Sequence, residues 1–321
     1  MLEGNADLSD VITTREGASA AERIAQMGRL WRRYDLAIVT STGTPPTLVG
    51  FAAARYRVGL AAAESGSRRW KRWLLSRACP FEPAAPRTAH NDRLARLLGA
   101  PQAGPITAPT AGTPPERWVA LLGFDPRAER FAVIHPSPRW RYKRWTGDGW
   151  RELAAHLQRR VGRVLITGAP SDAERGYLDS LGLAGDRLLR LDGQLRLAET
   201  ADLLRHAALY VGPDTATTHL AAACGTPTVA LFGPTDPVIW GPTPAAGGQP
   251  YRRVAPLQRR DTVVLLQNPD LPCVPCQLEG CERHRDSRSD CLDRLPARRV
   301  IEAVELLLSE VRAAPPRPAA G

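Results

Sequence analysis

The sequence predicts an α/β protein with a doubly wound parallel sheet in its C-terminal two thirds. Between residues 131 and 232, short apolar runs alternate with segments of helical spacing, giving four strand–loop–helix units in a row. A less regular form of this alternation occupies residues 10–98. The chain has 321 residues, 43% of them hydrophobic, which is enough for two domains of ordinary size.

The first domain is expected over residues 1–125. A basic, irregular stretch at 64–86 interrupts it, and residues 100–115, rich in Pro, Gly, Ala and Thr, have the composition of a linker or long loop. Its predicted strands are 10–12, 36–39 and 56–59, and its predicted helices are 18–33, 48–55, 90–98 and 115–122.

The second domain is expected over residues 126–312, and the Pro- and Ala-rich tail at 313–321 is expected to be disordered. Because ligands bind at the carboxyl edge of such a sheet, the loops that follow its strands are candidate sites. The predicted strands are 131–134, 164–166, 188–191, 209–211, 229–232 and 262–266, and the predicted helices are 146–161, 172–181, 197–206, 220–224 and 298–312.

The most informative loop is the polar turn at 214–218, between a strand and a helix. Thr215, Thr217 and Thr218 place hydroxyls beside the free N–H groups of a helix N-terminus. These groups and the helix dipole favour an anion, which predicts a phosphate site. In the alternative interpretation the threonines only cap the helix, and His219 is an ordinary core histidine.

The formal net charge of +10 indicates an anionic partner such as a nucleotide, a phosphorylated sugar or a membrane surface. We find no nucleic-acid motif or basic–aromatic repeat, so nucleic acid is disfavoured. Arginine supplies nearly all the positive charge, because the only lysines are Lys71 and Lys143. A lysine retained in such a chain indicates a site that needs a compact ammonium.

The chain is expected to work in the cytoplasm, with contact to the inner membrane face as an option. It contains no run of about 18 apolar residues and does not open on a basic and then apolar segment. It has only six cysteines, four of them clustered late, as in a protein with reduced thiols.

Two further stretches leave alternatives open. Arg68, Arg69 and Lys71 either line an anion-binding surface or belong to a solvated helix face. Four late cysteines either hold a structural zinc, with His284 able to replace one of them, or are reduced thiols in a loop. These metal candidates are Cys273, Cys276, Cys281 and Cys291.

Two separated blocks resemble glycosyltransferase family 9, the ADP-heptose:lipopolysaccharide heptosyltransferases. The resemblance covers residues 130–312 and, more weakly, 2–60. The blocks are His135-Pro136 with Lys143-Arg144-Trp145, and the run Asp214-Thr215-Ala216-Thr217-Thr218-His219, which leads to Gly225-Thr226-Pro227 and to Leu231-Phe232-Gly233-Pro234-Thr235.

The resemblance implies a GT-B fold, in which two Rossmann-like domains face a cleft. It also implies inverting transfer of a heptose or related sugar from an ADP-sugar to a lipopolysaccharide core or similar anionic glycolipid, without a metal or cofactor. Lys143 would neutralise the leaving diphosphate and Asp214 would lie against the donor sugar or hold the turn rigid. The implied donor-binding residues are Ser137, Lys143, Gly168, Asp172, Glu174, Leu195, Asp214, Thr215, Ala216, Thr217, Thr218 and His219.

The chain departs from the family pattern in two places. Ala216 stands where the family commonly has glycine, which removes a freely positive φ. Family members open with a strand and a loop whose aspartate is the general base, and this chain starts after them, so its first domain is expected to be incomplete. We expect either a gene model that begins too late or a protein without the base, which is worth ~10²–10⁴-fold in rate.

The favoured function is therefore a glycosyltransferase. The alternatives are a family relative that uses another donor, and a non-catalytic nucleotide-sugar-binding protein that lacks the base. A dinucleotide-dependent oxidoreductase is disfavoured, because no G-x-G-x-x-G follows a strand.

Overall fold

A computed structural model describes residues 5, 7–15, 17–61, 70–100 and 106–313, the last three of them by backbone alone. Two compact units divide the chain, one over Asp10–Gly104 and the other over Pro105–Gly321 together with Met1–Ser9. The predicted tail from residue 314 lies outside the described residues. Within the described ranges, none of the helices combines the length and the apolar composition that crossing a bilayer needs.

The first unit is an α/β unit around a three-stranded parallel sheet in the order β1-β2-β3. Ser19 and Glu22 form a capping box that starts its first helix, so the predicted start is displaced by two residues. The helices are α1 (Ala20–Leu30), α2 (Thr44–Ala53), α3 (Trp70–Trp73) and α4 (Arg87–Leu97), and the strands are β1 (Tyr34–Val39), β2 (Ala54–Ala61) and β3 (Arg77–Pro80).

Two sequence predictions for this unit were wrong. Residues 10–12 form no strand; they are irregular, and Val11 and Ile12 are exposed. The third strand, β3, lies in the stretch that we expected to be irregular. Its four residues include an arginine and a proline, so they carry no apolar run that the sequence could reveal.

The second unit contains a seven-stranded sheet in the order β6-β5-β4-β7-β8-β10-β9, parallel except for β9. A short 3-10 turn at Arg141–Lys143 follows the first strand. The strands are β4 (Phe131–Ile134), β5 (Arg163–Ile166), β6 (Leu188–Arg190), β7 (Leu209–Pro213), β8 (Thr228–Leu231), β9 (Leu257–Arg260) and β10 (Val263–Leu266). The helices are α5 (Pro115–Leu122), α6 (Gly147–Arg160), α7 (Asp172–Ser180), α8 (Leu197–His206), α9 (Ala216–Ala223), α10 (Pro237–Trp240), α11 (Asp290–Asp293) and α12 (Ala297–Ala313).

Helices cover both faces of this sheet, as the continuously apolar strands predict. Successive residues of β4 point to opposite faces. Ala132 and Ile134 pack with Trp150 of α6 and Val304 of α12, whereas Val133 packs on the face that α8 covers. The predicted doubly wound parallel sheet is confirmed.

The two units divide earlier in the chain than the expected boundary near residue 125. Residues that we assigned to a linker bind to the second unit, because the hydroxyls of Thr110 and Thr113 donate to Asp202 of α8 at 2.6 and 2.8 Å. Trp118 of α5 is 1% exposed in the core of the second sheet. The residues between 106 and 125 therefore belong with the second unit.

The strand order fixes where a ligand can bind. The chain runs from β4 outward to β5 and β6, then returns to the other side of β4 to form β7. The loops after β4 and β7 therefore leave the sheet in opposite directions, which opens a crevice at their carboxyl ends. Lys143 follows β4 and Asp214 follows β7.

Candidate active site

The turn after β7 is held by its threonines. Thr215 is the N-cap of α9, and its hydroxyl accepts the N–H of Thr218. The hydroxyl of Thr218 is fully buried, donates to the carbonyl of Pro213 and lies 3.0 Å from the hydroxyl of Tyr210. Thr215 therefore caps α9, and Thr218 braces the turn before it. The N–H groups of Ala216 and Thr217 lie at the helix N-terminus, a position that favours an anion.

Lys143 and Asp214 meet across the crevice. The Lys143 ammonium donates to Asp214 Oδ2 at 2.6 Å, and His219 Nε2 lies 3.6 Å from Asp214 Oδ1. The Asp214 side chain is 9% exposed, against 21% for Lys143 and 37% for His219. The carboxylate is thus buried between two more accessible nitrogen groups, which both remain open to a ligand.

The Asp214 carboxylate is held in its ionised form. Burial by itself would raise its pKa, but hydrogen bonding to His219 and the charges of Lys143 and His219 outweigh burial and hold the pKa below its usual value. An ionised Asp214 fixes the Lys143 ammonium beside the N-terminus of α9. This end of the crevice therefore combines a fixed cation, an imidazole and the N–H groups of a helix N-terminus.

A cavity of about 400 Å³ surrounds these groups, within the ~300–1,000 Å³ range of small-molecule sites. Its lining joins sequence-predicted residues to others that the sequence did not indicate. The predicted ones are Lys143, Asp214, Thr215, Ala216 and His219, and the added ones are Tyr142, Pro234, Thr235, Asp236, Trp240, Gln277, Leu278 and Glu279.

A second group of predicted residues gathers at the ends of β4 and β5. The Ser137 hydroxyl donates to Glu174 at 2.9 Å, and the N–H of Ala169 donates to the same carboxylate oxygen at 3.0 Å. Gly168 precedes Ala169, and a Cβ at Gly168 would lie 3.0 Å from the Leu178 side chain, so only a residue without a side chain fits easily. These contacts leave the other oxygen of Glu174 open to a ligand.

The neighbouring histidine is neutral. His135 is buried, and Nδ1 lies 2.9 Å from the Thr167 hydroxyl. Burial lowers the pKa of His135 to about 4, although Glu174 and the hydrogen bonds of Thr167 and Ser137 act in the opposite direction. His135 therefore packs and orients this corner without carrying charge at neutral pH.

The other predicted donor-site residues are Asp172, Leu195 and Thr217, and their environments differ. Asp172 is fully exposed in the first turn of α7, where Arg175 is 4.0 Å away. Leu195 is half-buried and packs against the core on the α8 face. Thr217 is buried within α9. Of the acidic alternatives for ribose, the structure thus brings Glu174, and not Asp172, to Ser137.

The predicted acceptor residues are only partly described. Arg68 and Arg69 lie outside the described residues. Lys71 is 7% exposed, and its ammonium donates to the carbonyl of Thr42 at 2.9 Å in the first unit. The contact of these residues with an acceptor stays a prediction.

The four late cysteines do not assemble a metal site. Across the described residues, no three His, Cys, Asp or Glu side chains come together as ligands for a metal ion. Cys273 and Cys281 are exposed, whereas Cys291 is buried and its thiol pKa is raised to about 12 by burial and by Cys276 and Cys281. Of the two alternatives for Cys273, Cys276, Cys281 and Cys291, the described side chains favour reduced thiols over a structural zinc.

The cysteine segment has another place in the structure. The hydroxyl of Ser289 donates to the carbonyl of Tyr142 at 2.6 Å, and the N–H of Gln277 donates to the carbonyl of Pro234 at 2.7 Å. The segment thus packs beside Lys143 and brings Gln277–Glu279 to the cavity. The sequence gives no signal for this, because no local pattern shows that a loop from residue 277 reaches a turn at 142.

Comparison with known proteins agrees with the resemblance in sequence. The glycosyltransferase family 9 (heptosyltransferase) profile matches residues 27–282. Lipopolysaccharide heptosyltransferase 3 of Escherichia coli K12 is 35% identical over 116 residues, which are 36% of this chain and 34% of that protein. Lipopolysaccharide heptosyltransferase 1 of Pseudomonas aeruginosa is 32% identical over 201 residues, which are 59% of this chain and 50% of that protein. The aligned regions thus span at most half the length of these two relatives.

Solved structures show the same fold. The family 9 glycosyl transferase of Veillonella parvula superposes with a TM-score of 0.67 at 14% identity, covering 91% of this chain and 80% of that one. The E. coli heptosyltransferase WaaC, solved with ADP, superposes with a TM-score of 0.61 at 20% identity, covering 90% of this chain and 79% of that one. The fold, the two sequence blocks and the match over residues 27–282 place this chain in glycosyltransferase family 9, the heptosyltransferases.

Proposed function

We propose that this protein transfers a heptose from an ADP-heptose donor to the core saccharide of a lipopolysaccharide. The observation that carries the proposal is the contact of Lys143 with Asp214 at the switch point of the sheet, beside His219 and the N-terminus of α9. This arrangement suits a diphosphate, since it offers a compact cation and free N–H groups to one anion. Family membership and a fold relative that was solved with ADP support the adenine nucleotide.

In this reaction the site must stabilise the leaving group, which is the diphosphate of ADP. The acceptor hydroxyl attacks the anomeric carbon and gives up its proton to water, the bond from that carbon to the diphosphate breaks, and ADP leaves with the electron pair. Lys143, with the hydroxyls and N–H groups of the α9 turn, meets the charge that develops on the diphosphate. Attack from the side opposite to the leaving group inverts the anomeric configuration. The protein groups neutralise the charge that a divalent cation would otherwise neutralise.

Asp214 acts by positioning. Its carboxylate orients the Lys143 ammonium and His219, and its negative charge keeps it from binding the diphosphate directly. The nucleoside is assigned to the corner of Ser137, Gly168 and Glu174, where the open oxygen of Glu174 accepts from the ribose hydroxyls. Leu195 packs near the base, and Asp172 is the outlying alternative for the ribose.

The acceptor is proposed to be an anionic glycolipid at the inner membrane face, reached from the cytoplasm. The net charge of +10 favours association with such a surface. Arg68 and Arg69 are the proposed contacts on the first unit, whereas Lys71 is buried and its ammonium is held by the carbonyl of Thr42.

Turnover tests the proposal. The protein is incubated with ADP-heptose and a heptose-free lipopolysaccharide core, and released ADP is measured with and without EDTA. We expect turnover that EDTA does not change, an inverted anomeric centre in the product by NMR, and a kcat about 10²–10³-fold lower in Lys143→Ala.

Three results would contradict it. Turnover that requires an added divalent cation would overturn the metal-independent mechanism. Preference for a UDP- or GDP-sugar would overturn the donor. Tight binding of ADP-heptose with no turnover would favour the alternative of a non-catalytic binding protein.

A further inference from the structure

We propose that Trp240 and Glu279 form the subsite for the glycosyl group of the donor. This inference rests on the proposed function, because it concerns the same cavity. Two segments that follow neither β4 nor β7 reach this cavity: the end of α10, with Trp240, and the loop 277–279. These two segments line the cavity but have no role in the proposed diphosphate site.

The carboxylate in this part of the lining disfavours a phosphate and suits hydroxyl groups. Glu279 brings a carboxylate to the cavity, which repels a diphosphate. One of its oxygens lies 3.1 Å from Arg285 Nε, so the other oxygen retains its capacity to accept hydrogen bonds. A sugar offers hydroxyl donors to such a carboxylate, whereas the diphosphate finds its donors at Lys143.

Trp240 provides the apolar contact that a sugar ring needs. Its side chain is large and apolar, and the residue is 41% exposed at the rim of the cavity. An aromatic ring packs well against the C–H groups of a pyranose, while polar neighbours take its hydroxyls. One aromatic ring, one carboxylate and the amide of Gln277 together provide both kinds of contact.

Both segments are fixed before any ligand arrives. Asp236 caps α10 by accepting the N–H of Val238 at 2.9 Å, and the N–H of Trp240 donates to the carbonyl of Asp236 at 3.0 Å. On the other segment, the hydroxyl of Ser287 donates to the carbonyl of Glu279 at 2.6 Å. A subsite held in this way loses little conformational entropy on binding, which favours selectivity.

The cysteine segment acquires a role from this assignment. Gln277 has a positive φ of 57° and its N–H is held by Pro234, so the chain turns sharply just after Cys276. Cys291 is buried against Gly233, where a Cβ would lie 3.0 Å from its sulfur. The segment is thus a scaffold that carries Glu279 to the donor, and Cys291 contributes to it by packing.

Isothermal titration calorimetry with two ligands tests the assignment. ADP and ADP-heptose are titrated into the full chain and into Trp240→Ala, Trp240→Phe and Glu279→Gln. We expect each variant to bind ADP as the unchanged protein does, and Trp240→Ala and Glu279→Gln to bind ADP-heptose about tenfold more weakly. Trp240→Phe, which keeps an aromatic ring, should retain most of the affinity.

Glu282→Gln is the matched control. Glu282 belongs to the same segment and lies 3.0 Å from His284 at the surface, but it does not line the cavity. It should leave both affinities unchanged. Because Trp240 and Glu279 are both exposed, their variants should fold, and thermal unfolding verifies this.

The outcomes separate this inference from the proposed function. If the unchanged protein binds neither ligand, the proposed function and the subsite both fall. If it binds both ligands and the variants bind ADP-heptose equally well, only the subsite is overturned. If the variants keep their donor affinity but raise the KM for the saccharide acceptor, the groups recognise the acceptor and the donor assignment is wrong.

Discussion

Asp214 is the residue on which the geometry of the site depends most, because it contacts both Lys143 and His219. Its removal would leave a partly buried ammonium without its anionic partner. Such a loss is destabilising even where the intact pair adds little net stability. Asp214 is therefore expected to contribute to folding as well as to binding.

Asp214→Asn should lower the free energy of unfolding by about 2 kcal/mol at pH 7, with urea denaturation as the measurement. The sign with pH follows from the lowered pKa of Asp214. The stabilisation is fully present above the ordinary aspartate pKa of about 3.9 and is lost as the pH falls through the lower folded-state pKa. The difference between the two proteins should therefore shrink below about pH 4.

Asp172→Asn is the control, because Asp172 is fully exposed and should change the stability very little. A stability difference for Asp214→Asn that stays the same down to pH 3 would show that the carboxylate charge is not what Lys143 requires.

The residues of the site differ in how far the sequence could reveal them. Lys143 was predictable because it is one of two lysines in an arginine-rich chain, and Asp214 because it stands in a turn between a strand and a helix. Trp240 and Glu279 were not, since each reaches the cavity through contacts with distant segments. The two alternatives for the cysteines, zinc ligands or reduced thiols, could not be separated from the sequence, because spacing alone does not show which thiols are buried.

At the scale of elements, Gly280 sets the distance between the cysteine segment and the Lys143 loop. It has a φ of +86°, and a Cβ there would lie 2.8 Å from both the Arg288 carbonyl oxygen and the Tyr142 Cβ. A side chain at this position must therefore push the two segments apart.

Gly280→Ala should lower the free energy of unfolding by about 1–3 kcal/mol and should also weaken ADP binding, because Tyr142 adjoins Lys143. Thermal unfolding with and without ADP measures both effects. Gly176→Ala is the control, since Gly176 lies in α7 with open space around it and should gain up to about 1 kcal/mol. Normal ADP affinity in Gly280→Ala would contradict the positioning of Lys143 by this segment.

A second element-scale prediction concerns the packing of α12 on α6. Glu305 accepts two hydrogen bonds of 2.6 Å from Arg160 and one of 2.8 Å from His156. The bonds from Arg160, and then those from His156, lower the pKa of Glu305 to about 2. The side chains are about one third exposed, so solvent screens part of this interaction.

Glu305→Gln should cost about 1 kcal/mol of unfolding free energy at pH 7. Because the folded-state pKa is lowered, this contribution is complete above the ordinary glutamate pKa of about 4.3 and is lost as the pH falls towards 2. A double-mutant cycle with Arg160→Met, measured in urea, should give a coupling energy of similar size. A coupling energy of zero would show that the stability lost in Glu305→Gln comes from changes within helix α12 and not from the contact with Arg160.

The elements themselves were largely predictable where burial makes them regular. The strands from 131 to 232 are continuously apolar because helices cover both of their faces, and their predicted positions are confirmed within one or two residues. The strand β3 and the antiparallel strand β9 were missed, since β9 reads Leu-Gln-Arg-Arg and has no apolar run. Short or edge strands are set by their partners more than by their own residues.

At the scale of the whole molecule, the α/β class and the parallel sheet followed from the alternation of strands and helices. The division into two units did not, because residues 106–125 have the composition of a linker yet bind to the second unit through Asp202. The composition of a segment indicates how flexible that segment is in isolation. In the folded protein, a few buried hydrogen bonds can hold such a segment in place. The contact between Lys143 and Asp214 could be found only from the fold, because the two residues are 71 positions apart in sequence.

The proposed function requires that the cavity around Lys143 and Asp214 bind an adenine nucleotide through its diphosphate. The most direct measurement is thermal unfolding of the chain titrated with ADP, UDP and GDP, since a ligand that binds only the folded state stabilises it by about 2.7 kcal/mol at a hundred times its Kd. We predict that ADP raises the melting temperature, that Lys143→Ala removes most of this shift, and that Arg141→Ala, an exposed neighbour outside the cavity lining, keeps it. A folded chain that none of the three nucleotides stabilises, or an equal ADP shift in Lys143→Ala, would contradict the claim.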